Sequence, residues 1–159
     1  MRWLPFILLA YVMLGLQIGL GGLPRAGAVN FVLIAAVFLS LNATRAAAVP
    51  ACFGLGLLQD LAGIGPIGTF ALTYSIVALL VAGTDRALSA EHPLTHFLIT
   101  LAGGVVTAMV IWLHGNLARH GVPMPIGPGL VSAFYSAVVA MPALWALNRM
   151  RRRFRFRRG

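Results

Sequence analysis

The stretch "GLLQDLAGIGPIGTFALTYSIVALLVAG", Gly56 to Gly83, is apolar enough to lie in a bilayer, yet it sets Gln59 and Asp60 side by side near its start. A carboxylate at the centre of a membrane helix costs about 2.5–3.5 kcal/mol on insertion scales. Two questions follow: what lets Asp60 stay in this setting, and what it does there. On a helix, Asp60 shares one face with Gly56 and Gly63. Small residues on a helix let a neighbouring backbone approach closely, so this face is expected against protein rather than lipid. Asp60 also falls within a turn of the break "GIGP", Gly63 to Pro66. Backbone amides at the start of the next helix are natural partners for an anion there. Two roles stay open. Asp60 marks a binding cavity or partner contact, the default for an intramembrane carboxylate, or it ties the broken connection between two spans.

Composition says why lipid is the frame for this reading. Of 159 residues, 60% are hydrophobic and 9% charged, against roughly 45–50% and 25% in soluble domains. Mean hydropathy is +0.91. A soluble chain of this length has too little interior to hide that much apolar surface. The expectation is an all-α integral membrane protein, with about six transmembrane helices in one bundle. The net charge of +9 comes largely from one place. All twelve basic residues are Arg, and seven of them (Arg149, Arg151, Arg152, Arg153, Arg155, Arg157 and Arg158) lie in "RMRRRFRFRRG". Such a run after an apolar span reads as a cytoplasmic anchor on anionic lipid. Each Arg near that surface contributes about 1 kcal/mol. RNA binding is the lesser alternative.

Spans of about 17–25 residues are expected at 3–22, 28–43, 46–63, 67–83, 97–116 and 130–147, with 149–159 as a basic cytoplasmic tail. The first imitates a secretory leader, with Arg2 before it and Ala26-Gly27-Ala28 after it. Its apolar run is too long for the 7–15 residues of such a leader, so it is taken as an uncleaved span. An even number of spans puts both termini on the same side, and the Arg tail, with Arg2 in agreement, fixes that side as cytoplasmic. A five-span arrangement, with the second and third merged into a re-entrant unit, is the competing topology.

Outside the Gln59–Asp60 stretch, polar groups are few. Gly15 and Gly19, and Gly104 and Ala108, suit close helix packing within the chain or with a partner helix. Gln17, between the first pair, is placed to hydrogen-bond across such a contact. Asn30, Ser40, Asn42 and Thr44 read as interfacial, near the ends of the second span. Cys52 has no partner for a disulfide or metal and reads as a packing residue. No spacing joins a serine to a histidine as nucleophile and base, so no catalytic residue, metal site or cofactor is expected. A proton relay would need more acids or histidines at depth, and His114 is the only such residue inside a span. Tyr74, Trp112 and Asp60 are the only residues that could line a ligand pocket.

The segment "GLGLLQDLAGIGPIGTFALTYSIVALLV" resembles the rod shape-determining protein MreD family. The pattern of a Gly-rich helix, a Gln-Asp pair, a short break and a Pro-x-Gly step falls on Gly56, Gln59, Asp60, Gly63, Pro66 and Gly68. The commoner form of the break has a Ser after the Gln-Asp helix and a His after the Gly. Thr69 and Phe70 stand there, so no role for that His is carried over. The resemblance implies a non-catalytic protein of the bacterial inner membrane. It would bind MreC, within a wider complex of MreB, RodA and its penicillin-binding transpeptidase, and help position lateral peptidoglycan synthesis. It also implies a fold similar to the substrate-binding subunits of energy-coupling-factor transporters. A small-molecule, vitamin-type binding subunit of a transporter is therefore the alternative function.

Overall fold

The computed structural model describes residues 3–22, 29–63, 67–83, 93–118 and 125–153. Six helices account for nearly all of them: α1 (Trp3–Leu20), α2 (Phe31–Asn42), α3 (Arg45–Ala62), α4 (Thr69–Gly83), α5 (Pro93–Ala118) and α6 (Gly127–Arg153). Two are long and apolar enough to cross a membrane, over Leu94–Leu117 and Gly127–Arg149; Phe6–Leu20, Phe31–Asn42 and Thr69–Val81 are shorter apolar segments. The all-helical architecture matches the sequence expectation. Pro66, Arg155, Arg157 and Arg158 lie outside the described residues. Arg151, Arg152 and Arg153 are described only as backbone of α6.

Helix α2 is the centre of the molecule. Its residues Val32 to Ser40 are buried without interruption, and it packs against α1, α3, α4, α5 and α6. A helix that is apolar all round suits either a bundle interior or a membrane span, and the five surrounding helices make this one interior. Its 12 residues make about 18 Å, short of the roughly 30 Å hydrocarbon core. Both ends of α2 are therefore held by protein groups. Asn30 caps the start, its Oδ1 accepting from Leu33 N at 3.0 Å, as a helix N-cap does. The expectation that Asn30 and Ser40 face the interface is corrected: they are 9% and 6% exposed, because α2 is enclosed rather than lipid-facing.

Two helix pairs flank this centre. α5 and α6 run antiparallel at close range: a side chain at Gly104 would run into Ala133, and one at Gly129 into Ala108. Gly104 and Ala108 thus lie in a packed contact inside the chain. α3 and α4 form the other close pair. By contrast, α1 packs only on α2 and α3. Gly15 and Gly19 are exposed, with open space where a Cβ would stand, so their packing within the chain is not found.

Helices α2 and α6 run parallel and in register. Asn30 N donates to Ser136 Oγ at 2.8 Å, and Asn42 Nδ2 lies 3.4 Å from Asn148 Oδ1. Both pairs are 106 residues apart in sequence, so the offset holds along the full length of α2. α6 continues past the expected end at Leu147 to Arg153, carrying the first arginines of the basic run on a helix.

Candidate functional site

α3 ends at Ala62, with Gly63 as its C-cap in extended conformation. The chain re-enters as α4 at Thr69. Asp60, one turn before the end of α3 and 3% exposed, faces that re-entry. Its Oδ2 accepts from the amides of Gly68 at 2.9 Å and Ala71 at 3.1 Å, and its Oδ1 from Phe70 at 3.1 Å. The first amides of a helix have no partners within it and carry its positive end. One carboxylate from the preceding helix satisfies three donors around the start of α4. That is how an acid is held at this depth.

Two glycines make the geometry possible. Gly68 has φ +101°, a left-handed conformation that favours glycine, and this turns its N–H toward Asp60. At Gly56 a Cβ would overlap the Phe70 carbonyl and the Ala71 backbone, so only glycine lets α3 lie against the first turn of α4. Gly63 behaves differently from the expectation. It is exposed, as the C-cap beyond which the chain turns out of the helix.

Gln59, beside Asp60, opens a second set of bonds. Tyr74 Oη, on a residue fully enclosed in α4, lies 2.6 Å from Gln59 Oε1 and donates to it. The same oxygen accepts from Asn30 Nδ2 at 2.8 Å. Asn30 N continues to Ser136, and Phe31 N donates to Gln17 Oε1 at 2.8 Å. A single polar layer thereby joins α1, α2, α3, α4 and α6. Direct bonds of this kind in an apolar interior are strong, and each depends on the others for full satisfaction.

This layer extends well past what the motif shows. Gln17 does bond across a helix contact, although to the first amide of α2 rather than across the Gly15–Gly19 face. Asn30 carried a usable signal, an N-cap residue immediately before an apolar run. Ser136 carried none, since a serine in an apolar helix most often bonds its own backbone, as Ser40 and Ser75 do here. Tyr74 and Asp60 are buried, whereas Trp112 is 40% exposed on α5. His114 is likewise exposed. Among the described residues no three metal-ligating side chains converge, and Cys52 is buried beside Ser40, its Sγ 3.4 Å from the Ala36 carbonyl.

The arrangement is that of a tie between helices. Asp60 closes the α3–α4 connection, and the Gln59–Tyr74–Asn30 layer fixes that pair to the central helix. No curated protein and no solved structure matches the chain. The family model for the rod shape-determining protein MreD matches residues 1–146, a length that takes in the Asp60 tie, the polar layer and most of α6. The chain belongs to the MreD family, cell-shape-related membrane proteins of the rod-shape machinery.

Proposed function

We propose that the chain is a non-catalytic component of the elongation machinery in the bacterial inner membrane. In this reading the chain crosses the membrane about six times, the short α2 being completed at its ends by protein groups, and both termini are cytoplasmic. The protein binds MreC and, with MreB, RodA and its penicillin-binding transpeptidase, helps position lateral peptidoglycan synthesis. The observation that carries the reading is the use of the buried polar groups. Asp60, Gln59, Tyr74, Asn30 and Ser136 bond to one another or to backbone, as befits a rigid body that meets partners through its outer surface.

Two parts of that surface suit the purpose. On α1, Gly15 and Gly19 share the exposed side with Tyr11, which is 78% exposed. A partner helix could approach closely there. At the other end of the fold, the Arg149 guanidinium lies over the exposed Trp145 ring, 5.6 Å from its centroid, a cation–π pairing. Trp favours the headgroup level of a bilayer and Arg-rich cytoplasmic ends favour anionic lipid, which supports a role for this end at the inner leaflet or with cytoplasmic filaments.

A detergent pull-down of the tagged chain from native membranes, with mass spectrometry, tests the assignment. Recovery of MreC with wall-synthesis enzymes supports it. Recovery of an ATP-dependent transporter module instead replaces it with a small-molecule-binding subunit. Asp60→Ala and Gly56→Leu should weaken recovery of the partner more than membrane insertion, and unchanged recovery with both variants would sink the proposed importance of the α3–α4 tie.

A further inference from the structure

The two ends of α2 are held very differently. At Asn30 the side chains meet at 2.6–3.1 Å. At Asn42 a short bond stays within α2, Nδ2 donating to the Phe38 carbonyl at 2.8 Å, and only the contacts between helices are long: Asn42 Nδ2 to Asn148 Oδ1 is 3.4 Å, and Asn148 Nδ2 to His96 Nε2 is 3.5 Å. Direct contacts of that length are weak hydrogen bonds. Beside them, His96 Nδ1 and Thr100 Oγ1 are buried and bond nothing, although the residues are only 2% and 0% exposed.

Thr100 stands apart from the other hydroxyls in these helices. Ser40, Thr73, Ser75 and Thr107 each donate to the carbonyl four residues back, at 2.7–2.8 Å. Thr100 does not, so its hydroxyl is free for another partner. It lies one turn from His96 on α5, on the same face. Two unsatisfied buried polar atoms so close together on one face are rare in folded proteins, and a common resolution is a shared ordered water.

We propose that His96 Nδ1 and Thr100 Oγ1 hold a buried water on α5, behind the imidazole whose Nε2 meets Asn148. Other ligands fit less well. One imidazole, one hydroxyl and two carboxamides lack the anionic donors that a divalent cation prefers. The enclosure of His96 and Thr100 leaves no access for a lipid headgroup. The proton positions follow from the neighbours. Asn148 Nδ2 faces Nε2, which therefore accepts, so Nδ1 carries the ring proton and donates to the water, which in turn donates to Thr100 Oγ1. α6 is then joined to α2 by the direct bond at Ser136, and at the arginine-bearing end the water fixes the imidazole that meets Asn148.

Thr100→Val tests the assignment in the purified full chain. If the hydroxyl holds water, its removal strands the His96 N–H and lowers the melting midpoint in detergent by about 2–4 °C. Thr100→Ser should retain the wild-type midpoint, and Thr107→Val, which loses only a local bond, should shift less. Nitrogen-15 histidine spectra should show His96 protonated at Nδ1 with a water exchange peak, lost in Thr100→Val. An unchanged or raised midpoint for Thr100→Val overturns the proposal, because removing an unpartnered buried hydroxyl relieves a cost. A wild-type spectrum without the water peak overturns it as well.

Discussion

Replacing Asp60 separates the cost of a buried charge from the value of the bonds it makes. Its carboxylate accepts three amides, of which Ala71 N is buried and Gly68 N and Phe70 N are partly so. In Asp60→Ala those donors lose their partner in an apolar setting. An unsatisfied buried group costs about 1–3 kcal/mol. Counting the Ala71 amide in full and the other two at about half gives a loss of about 2–6 kcal/mol, offset in part because the carboxylate itself need no longer be desolvated. Asp60→Asn should lose less, about 2 kcal/mol. Its one oxygen can take the place of Oδ2 and keep Gly68 and Ala71, while its NH₂ faces the Phe70 amide, donor against donor. The order of stability is therefore wild type, then Asn, then Ala. Unfolding midpoints in mild detergent, followed by tryptophan fluorescence against added denaturing detergent, measure this order. Insertion should be unaffected, since both variants are more apolar than the parent. An Ala variant within about 0.5 kcal/mol of wild type, well under the cost of one orphaned amide, or one more stable than the Asn variant, would refute the capping argument.

Four further outcomes can be measured. Tyr74→Phe removes the hydroxyl between Gln59 and Asn30 and should cost about 1–2 kcal/mol in the same unfolding assay. Gly56→Ala forces α3 away from the Phe70–Ala71 backbone and should destabilise markedly. Gly15→Ala and Gly19→Ala, with open space around them, should stabilise the isolated protein by up to about 1 kcal/mol each through helix propensity. If those two also lose partner recovery, the α1 face is the docking face; intact recovery removes that assignment. Charge reversal at Arg149, Arg151, Arg152 and Arg153 should weaken sedimentation with anionic vesicles, and a variant that binds such vesicles as the parent does would remove the lipid role of that end.

Hydropathy is a local sum, and so the membrane class, the helical fold and the rough positions of the helices were all legible before any coordinates. The Asp60 tie was partly legible for a similar reason. Its partners lie within eleven residues, and a carboxylate one turn from a break before the next helix has few other places to go. What lay beyond the sequence concerns faces. In water a helix shows its buried side by apolar periodicity, but in lipid both sides are apolar and the pattern vanishes. Nothing local distinguished the enclosed α2 from a lipid-facing span, or the open Gly15–Gly19 pair from the packed Gly104 and Ala108. The bonds from Asn30 to Tyr74 and to Ser136 reach across 44 and 106 residues. Only the tertiary structure brings those groups to one depth, because packing around a short central helix, rather than any neighbour in sequence, decides which polar atoms must meet.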